Sequence, residues 1–147
     1  MATRESALSA KCVKNKPANH FAERIENSCG NGTADLVLSA NNVDTWIELK
    51  CCDRPKNDTT PIDCSHIRKG QVQWHRRKRK AGNDTWCLIQ VGSGHHAIYY
   101  LFESSMLPYL KEGRLEAWYK QISYGFGKDL KTMLLLATQR NYFKARQ

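Results

Sequence analysis

No stretch of this sequence approaches the roughly 20 consecutive apolar residues that a membrane-spanning helix needs. Its first residues also hold no apolar run of the kind that marks a secretory leader. The expectation is a cytoplasmic, unexported protein. Internal repeats and long low-complexity segments are missing too, which sets aside repeat architectures. Acidic residues are scarce, 14 against 23 lysines and arginines, for a formal net charge of +9 at pH 7. That imbalance points to a polyanionic partner, nucleic acid above all, although charge by itself is a weak discriminator. What is present suffices to fold: 147 residues, 41% hydrophobic and 10% aromatic, fit one domain with its own core. The six cysteines, Cys12, Cys29, Cys51, Cys52, Cys64 and Cys87, read in an unexported chain as reduced thiols rather than as a disulfide framework.

Residues 1–16 are polar and read as a loose N-terminus. Pro17 suits the first turn of a helix in which Phe21 and Ile25 form an i, i+4 apolar pair, with Gly30-Asn31-Gly32 as the stop. Ala34–Ser39 and Asp44–Lys50 read as strands joined by a tight Asn41-Asn42 turn. Residues 53–63 form a polar loop. Ser65 is placed to cap a helix running to Ala81, with Gly82 as its stop. Trp86–Val91 and Ala97–Phe102 are strands, 104–112 a short helix ended by Gly113, and 128–144 a last helix. Leu115–Ile122 fits strand or helix, and Gly125-Phe126-Gly127 reads as a break. The order α-β-β-α-β-β plus C-terminal helices predicts an α/β fold, a central mixed sheet flanked by helices.

One group of charges does not fit ordinary strand patterning. Asp35 precedes Thr45-Trp46-Ile47-Glu48-Leu49-Lys50, an apolar strand carrying a carboxylate and an ammonium. If Asn41-Asn42 is a two-residue hairpin loop, residue 40 faces 43, 38 faces 45, and Asp35 faces Glu48. Such neighbours lie roughly 5 Å apart on one face, and alternation brings Lys50 to the same face. Paired carboxylates repel unless one is protonated or a cation joins them. A hard divalent ion, Mg²⁺ or Mn²⁺, suits oxygen ligands of this kind. The competing account is an ordinary cross-hairpin salt bridge. On the following helix, Ile67, Gln71, Trp74 and Ala81 share one stripe at about 100° per residue. Arg68, Lys69, Arg76, Arg77, Arg79 and Lys80 lie on the other side, a cationic face suited to phosphates. Gln71 is the polar member of the inward stripe, either reaching the charged cluster or satisfied as a buried amide.

Gly32-Thr33-Ala34-Asp35, Trp46-Ile47-Glu48-Leu49-Lys50 and Gln71-Val72-Gln73-Trp74 with Gly82, in that order, resemble the PD-(D/E)XK nuclease superfamily. The pattern is most similar to its VRR-NUC and Holliday-junction-resolvase-like branch, including small phage-type endonucleases, over residues 20–102. Ala34 departs from it, standing where that family usually has proline. The resemblance implies a restriction-endonuclease-like core and a single nuclease domain over 1–147, with catalytic core 17–102 and helical extension 103–147. It implies Mg²⁺ (or Mn²⁺) held by Asp35, Glu48 and the Leu49 backbone carbonyl. Lys50 would act at the attacking water, and Gln71 as an auxiliary residue. It further implies a glutamate of the first helix beside the metal, Glu26 or Glu23, with Glu26 preferred. The partner implied is DNA, bound through its phosphate backbone. A homodimer is implied if the substrate is a branched DNA that needs two cuts, and a bacterial or phage-infected cell is the implied setting. The alternative is a non-catalytic nucleic-acid-binding module on the same fold.

Other clusters carry less. Cys51, Cys52, Cys64 and His66 are potential zinc ligands, but their spacing fits no standard knuckle and adjacent strand cysteines point to opposite faces. His66 at the mouth of the charged cluster reads as a phosphate contact or as plain surface. His95-His96 reads as an exposed turn. Tyr99, Tyr100, Trp118 and Tyr119 read as half-core aromatics or as base-stacking platforms.

Overall fold

The structure, a computed structural model, describes residues 3–25 and 32–147. Its elements run α1 (Arg4–Lys14), β1 (Phe21–Arg24), β2 (Leu36–Ala40), β3 (Val43–Cys52), α2 (Lys69–Lys80), β4 (Thr85–Val91) and β5 (Ile98–Glu103). These are followed by α3 (Leu107–Glu112), α4 (Glu116–Ile122), β6 (Gly125–Gly127) and α5 (Leu130–Ala145). The six strands make one mixed sheet in the order β1-β2-β3-β4-β5-β6. The β3/β4 junction is parallel and its neighbours are antiparallel. A parallel pair needs a crossover, which α2 supplies. The expected α/β class and the run β-β-α-β-β are observed.

The β2/β3 hairpin has the anticipated register: Leu36 faces Ile47, Leu38 faces Thr45 and Ala40 faces Val43. Asn41 and Asn42 sit at φ 54° and 63°. Positive φ at both central residues is the turn whose twist matches paired strands, and asparagine tolerates that region better than other residues with a Cβ. Continuing the ladder sets Asp35 opposite Glu48.

Alternation along β3 sorts its side chains between two cores. Ile47, Leu49 and Cys51 pack with Leu8 and Cys12 of α1 and with Leu130, Met133, Leu134 and Ala137 of α5. Cys52 joins Ile62, Cys64, Ile67, Leu107, Leu110 and Tyr119 on the other face. Covered on both sides, β3 is buried almost continuously from Ile47 to Cys52. Glu48 and Lys50 are therefore only 0% and 5% exposed.

Four expectations are corrected. The N-terminus is helical rather than loose. Thr3 caps α1 by accepting from the Ser6 N–H at 3.0 Å, and the helix docks on the sheet through Leu8 and Cys12. Among the described residues the helix expected from Pro17 is replaced by β1, with Phe21 65% exposed, so the Phe21/Ile25 spacing was coincidental; Gly30 and Asn31 of the expected stop lie outside the described residues. The Ile25 N–H donates to the Asp35 carbonyl at 2.8 Å, continuing the β1/β2 ladder. Gly125-Phe126-Gly127 is an edge strand paired with β5, not a break. Finally, Cys52 and Cys64 form a disulfide, while Cys12, Cys51 and Cys87 are free and buried. The compartment argument for reduced thiols says nothing about two cysteines that the fold brings together. Residues 115–122, ambiguous in sequence, are largely α4.

Candidate active site

Asp35 lies at the entry to β2, half-buried, and its Oδ2 accepts the Leu49 N–H at 2.8 Å. Burial, and then the adjacent Glu48 charge, push the Asp35 carboxyl up to about 7, against the opposing pull of the Leu49 N–H and Lys50. Burial likewise raises Glu48 above the usual carboxylate range, with Asp35 and Lys50 pulling the other way. Burial and crowding thus push both carboxyls toward the protonated form.

Glu48 is gripped from several sides. Gln71 Nε2 donates to its Oε2 at 3.1 Å, Lys50 Nζ stands 3.6 Å from the same oxygen, and His75 Nε2 lies 3.1 Å from Oε1. Gln71 is held in turn, its Oε1 accepting the Arg68 N–H at 2.9 Å. The helix therefore begins at Lys69 with Arg68 as its cap, three residues later than the Ser65 expected. The Lys50–Glu48 ion pair lies within β3 rather than across the hairpin, and a salt bridge of either kind leaves Asp35 and Glu48 as crowded carboxyls.

His75 is the member that the sequence pattern did not reveal. It is fully buried, one helical turn beyond Gln71 on the same stripe, with Nδ1 2.7 Å from Thr85 Oγ1. Burial, then Arg79, push it down to about 3, so it is neutral. The i, i+4 spacing from Gln71 was the available signal, but the apolar pattern gave the inward position to Trp74. Trp74 is half-buried and packs edge-on to Trp46 at 5.6 Å between ring centroids.

Glu5 was missed as well. With Thr3, Ser6, Ser9, Arg24, Ile25 and Asp35 it lines a cavity of about 210 Å³. Its Oε1 is 3.5 Å from His66 Nε2, which places His66 near the cluster's mouth. Of the two glutamates proposed from sequence, Glu23 is exposed on β1 opposite Val37 and does not line this cavity. Glu26 lies outside the described residues. A larger cavity, about 460 Å³ beside Asn42, Asp84 and Lys144, contains none of the predicted site residues.

Gly32 explains the spacing of the Gly-x-x-Asp motif. At φ +77°, a Cβ there would fall 2.7 Å from the Gln71 backbone nitrogen and closer still to the Gly70 carbonyl. The absent side chain lets the segment leading to Asp35 rest against the start of α2. Gly32→Ala should cost about 2 kcal/mol or more in urea unfolding.

The cationic face is mostly as expected. Arg68, Lys69, Arg76, Arg77 and Lys80 are exposed or half-exposed. Lys78 lies over Trp46, 4.8 Å from its ring centroid. Arg79 turns inward and donates to Ser104 Oγ at 2.6 Å. The zinc alternative does not hold: Cys52 and Cys64 are bonded to each other, and Cys51 points into the opposite core. Tyr100 and Tyr119 are fully buried, Tyr99 nearly so and Trp118 partly, which favours the core reading for these aromatics.

The donors suit a hydrated, hard cation. Among the described residues, no three His, Cys, Asp or Glu side chains form a ligand cluster. A bound ion would thus rely on Asp35, Glu48, backbone oxygen and water, the mix that Mg²⁺ tolerates. Ser9 Oγ, buried at this cavity and without a hydrogen-bond partner among the described residues, is a ready partner for such a water.

The sequence matches no protein-family model and no curated protein sequence. Among solved structures it is similar to Hjc, a Holliday junction resolvase of Archaeoglobus fulgidus, at a TM-score of 0.44 and 17% identity over 69% of this chain and 75% of that one. At that degree of likeness, any case for function rests on this chain's own site. Among the described residues, no helix is long and apolar enough to cross a membrane.

Proposed function

We propose that this chain is a metal-dependent DNA endonuclease of the PD-(D/E)XK kind, with a restriction-endonuclease-like core, that hydrolyses phosphodiester bonds. The observation that carries the reading is the facing pair Asp35 and Glu48, crowded together on a nearly buried face of the sheet, with the Lys50 ammonium 3.6 Å from Glu48. Asp35, Glu48 and the Leu49 carbonyl would hold Mg²⁺ or Mn²⁺, with Glu5 rather than Glu23 as the helix-borne carboxylate that reaches the ion through water. When bound, the ion supplies Lewis-acid polarisation of the scissile phosphate. Lys50, nearly excluded from solvent, presents a positive charge to the phosphate oxygens and the attacking water. Gln71 fixes the Glu48 carboxylate.

The exposed cations of α2 supply a surface for the phosphate backbone. Replacing Arg76, Arg77 and Lys80 with glutamine should weaken binding across DNA sequences. It should also flatten the slope of log K against log salt by about one for each phosphate that is no longer neutralised. An unchanged slope in equilibrium titrations would make this helix a bystander.

The decisive assay incubates purified protein with branched, single-stranded and duplex DNA, in Mg²⁺ and in EDTA. Cleavage that needs Mg²⁺ is expected, with branched DNA the preferred substrate. Tight binding without cleavage in any metal would favour a binding module and overturn the proposal.

A further inference from the structure

The hydrogen-bond chain that ends on Glu48 begins outside the pocket. Arg79 NH1 donates to Ser104 Oγ at 2.6 Å, and Ser104 Oγ lies 2.6 Å from Thr85 Oγ1. Thr85 Oγ1 lies 2.7 Å from His75 Nδ1, and His75 Nε2 lies 3.1 Å from Glu48 Oε1. Ser104 and Thr85 are 1% exposed, and His75 and Glu48 are fully buried. Bulk water therefore does not compete for these groups, and the direction of each bond matters.

One end of the chain is fixed by chemistry. A guanidinium only donates. The Ser104 oxygen therefore accepts from Arg79, and the other end sets the remaining directions: the Glu48 carboxylate calls for a donor at His75 Nε2, which leaves Nδ1 to accept and the Ser104 hydroxyl to donate to Thr85 Oγ1. The Thr85 hydroxyl then donates to His75 Nδ1. A neutral imidazole that accepts at Nδ1 carries its proton on Nε2, and here that proton is directed at Glu48 Oε1. The opposite tautomer would set a nitrogen lone pair against the carboxylate and strip the Ser104 hydroxyl of its acceptor in the chain.

We propose that Arg79, Ser104 and Thr85 are positioning residues that hold His75 as its Nε2–H tautomer, so that Glu48 is presented to the metal as an oriented carboxylate. The role toward the metal rests on the nuclease reading above; the tautomer does not. With Gln71 Nε2 and, at 3.6 Å, Lys50 Nζ on one oxygen and His75 Nε2 on the other, the Glu48 carboxylate is held from both sides in one orientation. Arg79, grouped by sequence with the phosphate-binding cations, thereby gains a second role.

Long-range proton–nitrogen correlation spectra of the histidine-labelled, metal-free protein read the tautomer directly. The His75 signals are assigned with His75→Gln. The unsubstituted protein should show a single Nε2–H form. Thr85→Val, which removes the hydroxyl at nearly constant shape, and Arg79→Met should each bring in the Nδ1–H form. Thr85→Ser should restore the original spectrum. The Mg²⁺ dissociation constant by calorimetry should rise about tenfold in Thr85→Val and return in Thr85→Ser. If Thr85→Val does not fold, Ser104→Ala severs the same chain one link away and serves in its place. A Nδ1–H form in the unsubstituted protein, or a spectrum unmoved by severing the chain, would overturn the proposal. The expected tautomer shifts in a protein that neither binds Mg²⁺ nor cuts DNA would uphold control of His75 and bring down the nuclease reading instead.

Discussion

Lys50→Met removes Mg²⁺-dependent cleavage, with a loss of about 10²–10³ in kcat or more, while DNA binding stays within a few-fold. Lys50 is 5% exposed on a strand enclosed between two cores, so the substitution exchanges one long, buried side chain for another of similar shape. Glu48 keeps Gln71 and His75 as partners, which preserves local geometry. DNA affinity should be spared because the exposed cations of α2 are untouched. What disappears is a fixed positive charge in a desolvated site, where charge is worth far more than at the surface. The check is single-turnover cleavage of end-labelled DNA beside equilibrium binding. Cleavage at the unsubstituted rate, with contaminating nuclease excluded, would remove Lys50 from the reaction. Asp35→Asn should be at least as damaging to cleavage.

In the absence of metal, the same Asp35→Asn protein should be more stable than the unsubstituted one at pH 8. The Asp35 carboxyl sits at about 7 in the fold against an ordinary 3.8, so between those values the folded chain binds more protons than the unfolded chain. Its contribution to stability is complete below about pH 4 and is lost as pH rises through 7. Asparagine keeps an oxygen for the Leu49 N–H but never ionises. The shift sets a ceiling of about 4 kcal/mol; discounted for Asp35's partial exposure, about 1–2 kcal/mol remains, or about 3–6 °C in Tm for a chain of this size. The gain should vanish near pH 4. Saturating Mg²⁺ should reverse the ranking, since it stabilises the unsubstituted protein by about 2.7 kcal/mol at 100 times Kd and has one ligand fewer in the variant. Differential scanning calorimetry at pH 4 and pH 8, with and without Mg²⁺, measures all of this. A variant that melts lower at pH 8 in EDTA would mean that the two carboxyls are not crowded.

The parts legible in the sequence were those set by local rules. Two adjacent asparagines between apolar runs dictate a two-residue turn, and a two-residue turn dictates the register that sets Asp35 against Glu48. The α2 stripe likewise followed from helical period, although it began at Lys69 and buried His75 where Trp74 was expected. The parts that escaped depend on packing partners far away in sequence. Helix α1 has little apolar surface beyond Leu8 and Cys12, and it is held by docking on β3 and α5, so Glu5 gave no local sign of lining a cavity with Asp35. Thr85 and Ser104, links in the chain to Glu48, lie 37 and 56 residues beyond it and are unremarkable in their own neighbourhoods.

The Cys52–Cys64 bridge closes a covalent ring between the two halves of the site. Cys52 is two residues past Lys50, and Cys64 is seven before Gln71, so the bridge more than halves the 21-residue path along the backbone. Closing a loop of this size restricts the unfolded chain by about 3 kcal/mol. A folding chain that already carries the bridge has strand and helix tethered at arm's length before either packs. A charge-crowded region of the molecule is therefore also one whose search through alternative arrangements is shortened.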